Sequence, residues 1–204
     1  MRQGLLVVMV MLVGCTAGGG ADDNQAASDP AINSANVALA DPAPAPSTTA
    51  ASPLLVALVG DGLQLVDGDS GKTYAVPFGT AQDQAIERIG KVQGPIGDSG
   101  DYEECGAGPI FYADFPGKLT LLFQDKKFAG WSVGGPGADA KLTTLAGIGV
   151  GSTRTALEAA YTATIEESTI GIEFMAGDMS GLLDSAKPTA KISDLWAGVT
   201  CIAR

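Results

Sequence analysis

Through residue 52 the chain offers little that could build a core, so any fold has to be assembled from Pro53 onward. Met1-Arg2 leads into an unbroken apolar run, Leu5 to Val13. That run is shorter than the about 20 residues needed to span a bilayer. A charged start, a short apolar middle and a small residue at its end read as a secretory signal over residues 1–14. Residues 16–52 then carry Gly18-Gly19-Gly20, much Ala, Asp and Ser, and Asp41-Pro-Ala-Pro-Ala-Pro46. Nothing there alternates or recurs at helical spacing, so this stretch is expected to be a disordered tether. A flexible chain of that length spans roughly 35 Å, at about 5–6 Å × √n.

The signal ends on Leu12-Val13-Gly14-Cys15. This tetrapeptide resembles the lipobox of bacterial lipoprotein precursors. The resemblance implies cleavage before Cys15, acyl chains on Cys15, and anchoring to a membrane from the periplasmic or exterior side. Thr16 follows, in place of the Asp that favours inner-membrane retention in enteric bacteria, so the outer membrane is expected where the cell has one. The cysteines are Cys15, Cys105 and Cys201. With Cys15 lipidated, Cys105 and Cys201 remain as a pair in a compartment that permits disulfides, and we expect them to be bonded. Two buried free thiols are the alternative.

Charge narrows the partners. The formal net charge is −11, and residues 53–204 hold 19 acidic and 11 basic side chains. An acidic body disfavours nucleic acid and anionic lipid surfaces, which call for basic patches. A membrane partner is therefore expected only through the anchor, and an envelope protein partner remains open.

From Pro53 the pattern becomes that of a folded domain. Leu54–Val59 is an apolar strand bounded by Gly60-Asp-Gly62. Leu63–Val66 and Thr73–Val76 flank Asp67-Gly-Asp-Ser-Gly71, which is hairpin chemistry. Thr80 is placed to cap a helix over Ala81–Ile89, with Asp83 in its first turn and Ala85, Ile86 and Ile89 as its apolar stripe. Gly90–Gly108 is a polar, Gly-rich passage. Ile110–Phe115, Leu119–Gln124 and Lys127–Val133 read as strands joined by turns at Pro116-Gly117 and Asp125-Lys126. Gly134-Gly-Pro-Gly137 marks a boundary.

The order then repeats. Val150-Gly151-Ser152 matches Phe78-Gly79-Thr80, and Ser152 is placed to cap a helix running through Tyr161. Ile165–Glu167, Gly171–Phe174, Gly181–Leu183, Ile192–Trp196 and Val199–Ile202 supply short strands. The expected class is α+β, with short helices on antiparallel sheet. Its two possible tandem halves are 53–136 and 137–204. Gly147-Ile-Gly-Val-Gly-Ser-Thr-Arg-Thr-Ala-Leu157, and Phe78–Ile86 more faintly, resemble the helix-opening turn of two groups. These are the small lipoproteins of the outer-membrane β-barrel assembly machinery and the tandem halves of β-lactamase inhibitory protein. The resemblance implies a fold and carries over no functional residue.

Catalytic motifs thin out on inspection. Gly68-Asp-Ser-Gly71 and Gly97-Asp-Ser-Gly100 spell the nucleophile tetrapeptide of chymotrypsin-like proteases, but the chain has no histidine to take the serine proton. Only a Ser–Lys pair with Lys72 or Lys91 stays open, and turn chemistry explains both copies more simply. Gly147-x-Gly149-x-x-Ser152, with Glu166 beyond it, imitates a dinucleotide fingerprint, but its third glycine is serine and its surroundings read antiparallel. Asp98, Asp101, Glu103 and Glu104 lack the alternating spacing of a calcium loop, and zinc lacks histidine and free cysteine. Phe111, Tyr112, Phe115, Phe123, Phe128, Trp131 and Trp196 fit a core better than a sugar-stacking platform.

No cofactor, metal or catalytic residue is assigned. We expect a non-enzymatic binding or scaffold module of the cell envelope. The alternatives are an inhibitor of an envelope enzyme, or an exported hydrolase using carboxylates such as Asp98, Glu103, Glu104 or Asp114.

Overall fold

A computed structural model describes residues 53–202. The signal 1–14, Cys15 and the tether to residue 52 lie outside the described residues.

Sheet dominates. The first sheet runs in the order β3-β2-β1-β8, from β1 (Leu54–Val59), β2 (Gly62–Asp67), β3 (Thr73–Pro77) and the short β8 (Thr143–Thr144). The second has eight antiparallel strands in the order β4-β5-β6-β7-β12-β11-β10-β9. Its first arm is β4 (Asp98–Tyr102), β5 (Ile110–Phe115), β6 (Leu119–Gln124) and β7 (Lys127–Gly134). Its second is β9 (Ala163–Ser168), β10 (Gly171–Ala176), β11 (Met179–Leu183) and β12 (Ile192–Gly198). Each arm is a meander that follows a helix, α1 (Gln82–Gln93) or α2 (Arg154–Ala160), and the arms join where β7 pairs with β12. The α+β expectation therefore holds in coarse form.

One core fills the space between the sheets. Strand alternation turns Ala113, Phe115, Leu119, Leu121, Trp131 and Leu195 of the large sheet inward, where they join Val56, Leu58, Leu63 and Val76 of the small sheet. Ala85 and Ile89 of α1 and Leu157 of α2 complete the same cluster. The fully buried Trp131 satisfies its indole by donating to the Val59 carbonyl at 2.9 Å, which ties the two sheets together. Asp125 and Lys126 both adopt positive φ, 49° and 57°, as a tight hairpin turn between β6 and β7 requires.

The helix starts differ from the expected capping. The Thr80 hydroxyl donates to the Pro77 carbonyl at 2.7 Å, so it does not cap α1, whose N-cap is Ala81 without a side-chain bond. The Gln82 N–H is satisfied instead by the Lys126 carbonyl. In the second helix Ser152 accepts from the Gly149 N–H and closes that turn, and the cap is Thr153, which accepts from the Ala156 N–H at 3.1 Å. Helix α1 also runs on to Gln93, ended by Gly94 at φ 99°, and β4 occupies part of the passage read as irregular. Val199–Ile202 is not a strand but a tail crossing the large sheet.

Both helix starts are built the same way. Gly79 and Gly151 sit at φ 89° and 88°. Gly79 N–H donates to Phe128 O and Phe128 N–H to Thr80 O, while Gly151 N–H donates to Ile192 O and Ile192 N–H to Ser152 O. The isolated bridges Ala81–Lys127 and Thr153–Lys191 repeat the correspondence.

A candidate binding groove on the outer sheet face

The large sheet has a second face, turned away from the shared core. Cross-strand pairing sets Asp98, Asp114, Thr120, Ser132 and Trp196 in one row across five adjacent strands. A second row runs Gly134, Asp194, Leu182, Glu173 and Glu166. The first row, with Gly134, Asp194 and Leu182 of the second, underlies an open groove of about 710 Å³, lined among others by Asp98, Asp114, Thr120, Ser132, Asp194 and Trp196. Its size falls within the roughly 300–1,000 Å³ usual for ligand sites.

The wall on one side is the tail. Cys105 and Cys201 are disulfide-bonded, as expected, with a Cα–Cα distance of 5.2 Å. The bond fastens the loop after β4 to the tail, and Cys105, Ile110 and Leu122 form a small apolar cluster with Tyr112, Val199 and Cys201. The next residue, Ile202, lines the groove. The tail can cross this closely only because β7 presents Gly130 beneath it: a Cβ there would lie 2.0 Å from the Val199 carbonyl oxygen. Gly134 plays the same part for Asp194, whose Oδ1 would lie 2.0 Å from an added Cβ.

The carboxylates in the row are held by hydroxyls. Tyr112 donates to Asp98 Oδ2 at 3.1 Å, and Thr120 donates to Asp114 Oδ1 at 2.5 Å. The bond to Asp98, reinforced by the charges of Asp98 and Asp114, raises the Tyr112 pKa above its ordinary 10.0. The phenol therefore stays a donor at neutral pH. Lys118, in the β5–β6 turn, is the basic residue on the lining.

The residues singled out by sequence scatter. Asp98 and Asp114 are direct cross-strand partners in the groove, whereas Glu103 and Glu104 are exposed in the following turn and do not line it. Asp98 and Asp101 are three apart on one strand, so alternation sends them to opposite faces. Among the described residues no group of three or more His, Cys, Asp or Glu is placed to hold a metal ion. Ser70 sits in the β2–β3 turn, where its N–H donates to Asp67 Oδ1 and its hydroxyl accepts from the Lys72 N–H. Hydrogen bonding to Asp67 from the Ser70 backbone, and then from the Ser70 side chain, lowers the Asp67 pKa from its ordinary value. Lys72 stands over the Tyr74 ring at 5.1 Å and Lys91 pairs with Glu87, so neither lysine is set up as a base for serine. The Gly147–Ser152 stretch follows a two-residue strand and leads into an antiparallel meander, not a βαβ unit. Gly149 is needed for packing, since a Cβ there would meet the Leu142 carbonyl oxygen at 2.5 Å.

Phe115, Phe123, Phe128 and Trp131 are buried in the main core. Trp196 is also buried, but its strand position places it on the groove side. Thr120, Ser132, Asp194 and Trp196 were not singled out as a site from sequence. Their signal is alternation in strands whose other face is apolar. No protein-family model, no curated protein and no solved structure matches the chain, so this groove has to be understood from its own residues.

Proposed function

We propose that this protein is a lipid-anchored module of the bacterial cell envelope that binds a protein partner and catalyses nothing. In this reading Cys15 carries the acyl chains, residues 16–52 hold the domain away from the membrane, and the outer groove receives the partner. The observation that carries the binding reading is the groove itself: a sheet face left uncovered by helix, walled by a disulfide-fastened tail. We also propose that the two arms are tandem halves, divided near residue 136. The matching backbone bonds at Gly79 and Gly151, and the mirrored strand order around β7 and β12, support that duplication. Trp196 then corresponds to Ser132, its own cross-strand partner, so the groove floor lies where the halves meet.

A photo-crosslinking side chain at Ser132, with the full chain anchored in envelope membranes, tests the proposal. A discrete protein adduct is expected from Ser132 and none from Gln84, which is exposed on α1. Absence of any adduct at Ser132 contradicts it.

One observation favours a second reading. Asp98 and Asp114 face each other across β4 and β5, and cross-strand partners have Cβ atoms about 4.5–5.5 Å apart. Such proximity suits a pair of carboxylates acting on a glycosidic bond. Turnover on a glycan panel that disappears in Asp114→Asn would establish this reading over the first.

A further inference from the structure

We infer that β9, an edge of the large sheet, accepts a further strand from a protein partner, basic where it meets Glu166 and Glu167 and aliphatic where it meets Ile165. This surface is separate from the groove. β9 is the last strand on its side of the sheet, hydrogen-bonded to β10. Ala176 and Met179 flank the two-residue turn Gly177-Asp178, with Gly177 at φ 63°, so they form a bonded pair. Bonding direction alternates along a strand. Ile172, Phe174 and Ala176 therefore spend their backbone groups on β11, and Gly171, Glu173 and Met175 spend theirs on β9, opposite Ser168, Glu166 and Thr164. That leaves Ala163, Ile165 and Glu167 pointing N–H and C=O out of the sheet, and among the described residues no backbone group meets them there. Such an edge pairs with an added strand. The other edges are less open. On the small sheet Pro77 of β3 has no N–H, and Arg88 Nη1 donates to the Ala75 carbonyl at 3.5 Å. β4 is shorter and carries Gly100 at its middle, whereas β9 holds neither glycine nor proline.

Side chains select the occupant. Ile165 pairs with Phe174 and Ala163 with Ala176, both core residues, so these side chains lie on the core side. Ile165, Ala163 and Ile172 are partly buried there, so the core ends half covered at this edge. An aliphatic side chain laid opposite Ile165 continues it. Glu166 and Glu167 are exposed, and among the described residues neither takes part in an ion pair. Two adjacent basic residues opposite them meet that charge. A second copy does not. Pairing β9 with β9 would bring both glutamates of each copy onto adjoining strands, and pairing β9 with β4 would bring them beside Asp98 and Asp101. Run antiparallel like the rest of the large sheet, the complementary strand reads Lys-Lys-Val-Thr-Val, from opposite Glu167 to opposite Ala163.

The test is amide-resolved hydrogen exchange on the full chain in detergent, with that peptide acetylated and amidated. At a peptide concentration about ten times Kd, exchange at Ala163, Ile165 and Glu167 is expected to slow about tenfold by mass action. Thr164 and Glu166, already bonded to β10, should not change. Glu166→Lys/Glu167→Lys, checked for an unchanged urea midpoint, is expected to lose this peptide and accept Glu-Glu-Val-Thr-Val instead. Glu167→Pro, which removes an outward N–H where an edge tolerates proline, is expected to weaken binding more than Glu167→Gln. Equal loss in those two variants would overturn strand pairing. Absence of protection at the three amides would overturn the inference, as would equal protection by the glutamate peptide on the wild-type chain. Protection that appears without peptide as the chain is concentrated would make a second copy the occupant and overturn it too. If β9 stays unprotected while Ser132 crosslinks a partner, this inference fails and the groove reading stands. Protection of β9 with no adduct at Ser132 upholds the inference and removes the groove reading.

Discussion

Removing the Cys105–Cys201 bond probes how the groove wall is held. The two cysteines are 96 residues apart in sequence. In the chain-entropy treatment, closing a loop of that length removes about 4.7 kcal/mol of freedom from the unfolded chain at 25 °C. The folded side has little with which to replace it. Among the described residues the tail beyond Gly198 forms no strand; it is held by the Val199 N–H donating to the Ala129 carbonyl and by the small apolar cluster of Cys105, Ile110 and Leu122 with Tyr112 and Val199. Cys105→Ala/Cys201→Ala is therefore expected to lose about 3–5 kcal/mol in urea unfolding. At about 2–4 °C per kcal/mol for a domain of this size, melting falls by about 6–20 °C. A Cys15→Ala background leaves these two sulfurs as the remaining cysteines, and thiol titration of that unreduced, unfolded chain should find none free. A loss below about 1 kcal/mol would refute the reasoning, because the bond would then constrain little. Two free thiols would refute it outright.

Gly130→Ala should destabilise by about 1–3 kcal/mol in the same assay, because its Cβ would meet the tail backbone, whereas Gly106→Ala, with nothing within 4 Å, should change stability by less than about 0.5 kcal/mol. Trp131→Phe should cost about 1–3 kcal/mol by leaving the Val59 carbonyl without its donor. Tyr112 should ionise above the ordinary 10.0 in ultraviolet titration, and Asp98→Asn should bring it down. Because its folded pKa is raised, the stabilisation from Tyr112 is fully present below the unfolded value near 10 and is lost as pH rises through the folded one. Tyr112→Phe should therefore flatten the alkaline part of the stability profile, and an unchanged profile would contradict the assignment.

Local chemistry explains which parts of the fold were legible. The hairpin around Asp67–Gly71 and the turn at Asp125-Lys126 are set by residues within a few positions, and both are where the sequence places them. The disulfide followed from counting cysteines. The caps were misread because adjacent hydroxyls compete: Ser152 and Thr153 are neighbours, and a turn to Gly149 takes the first. Which strands join the two arms, and that β8 pairs with β1, depends on contacts far apart in sequence. The groove was hidden for a related reason. Pairing slips between Leu182 and Leu183, so Ile192 and Leu195, three apart, both face the core. Alternation along Ile192–Trp196 therefore does not reveal that Asp194 and Trp196 share the outer face. Gly130 and Gly134 look like ordinary strand glycines until the tail and Asp194 are seen lying against them.

The central claim is that this acidic domain is displayed from a membrane by lipid on a single sulfur. Metabolic labelling with a radioactive fatty acid in a bacterial host that processes lipoproteins tests it most directly. The account predicts label on the wild-type chain and none on Cys15→Ala. An unlabelled wild type, still carrying Met1, would contradict it.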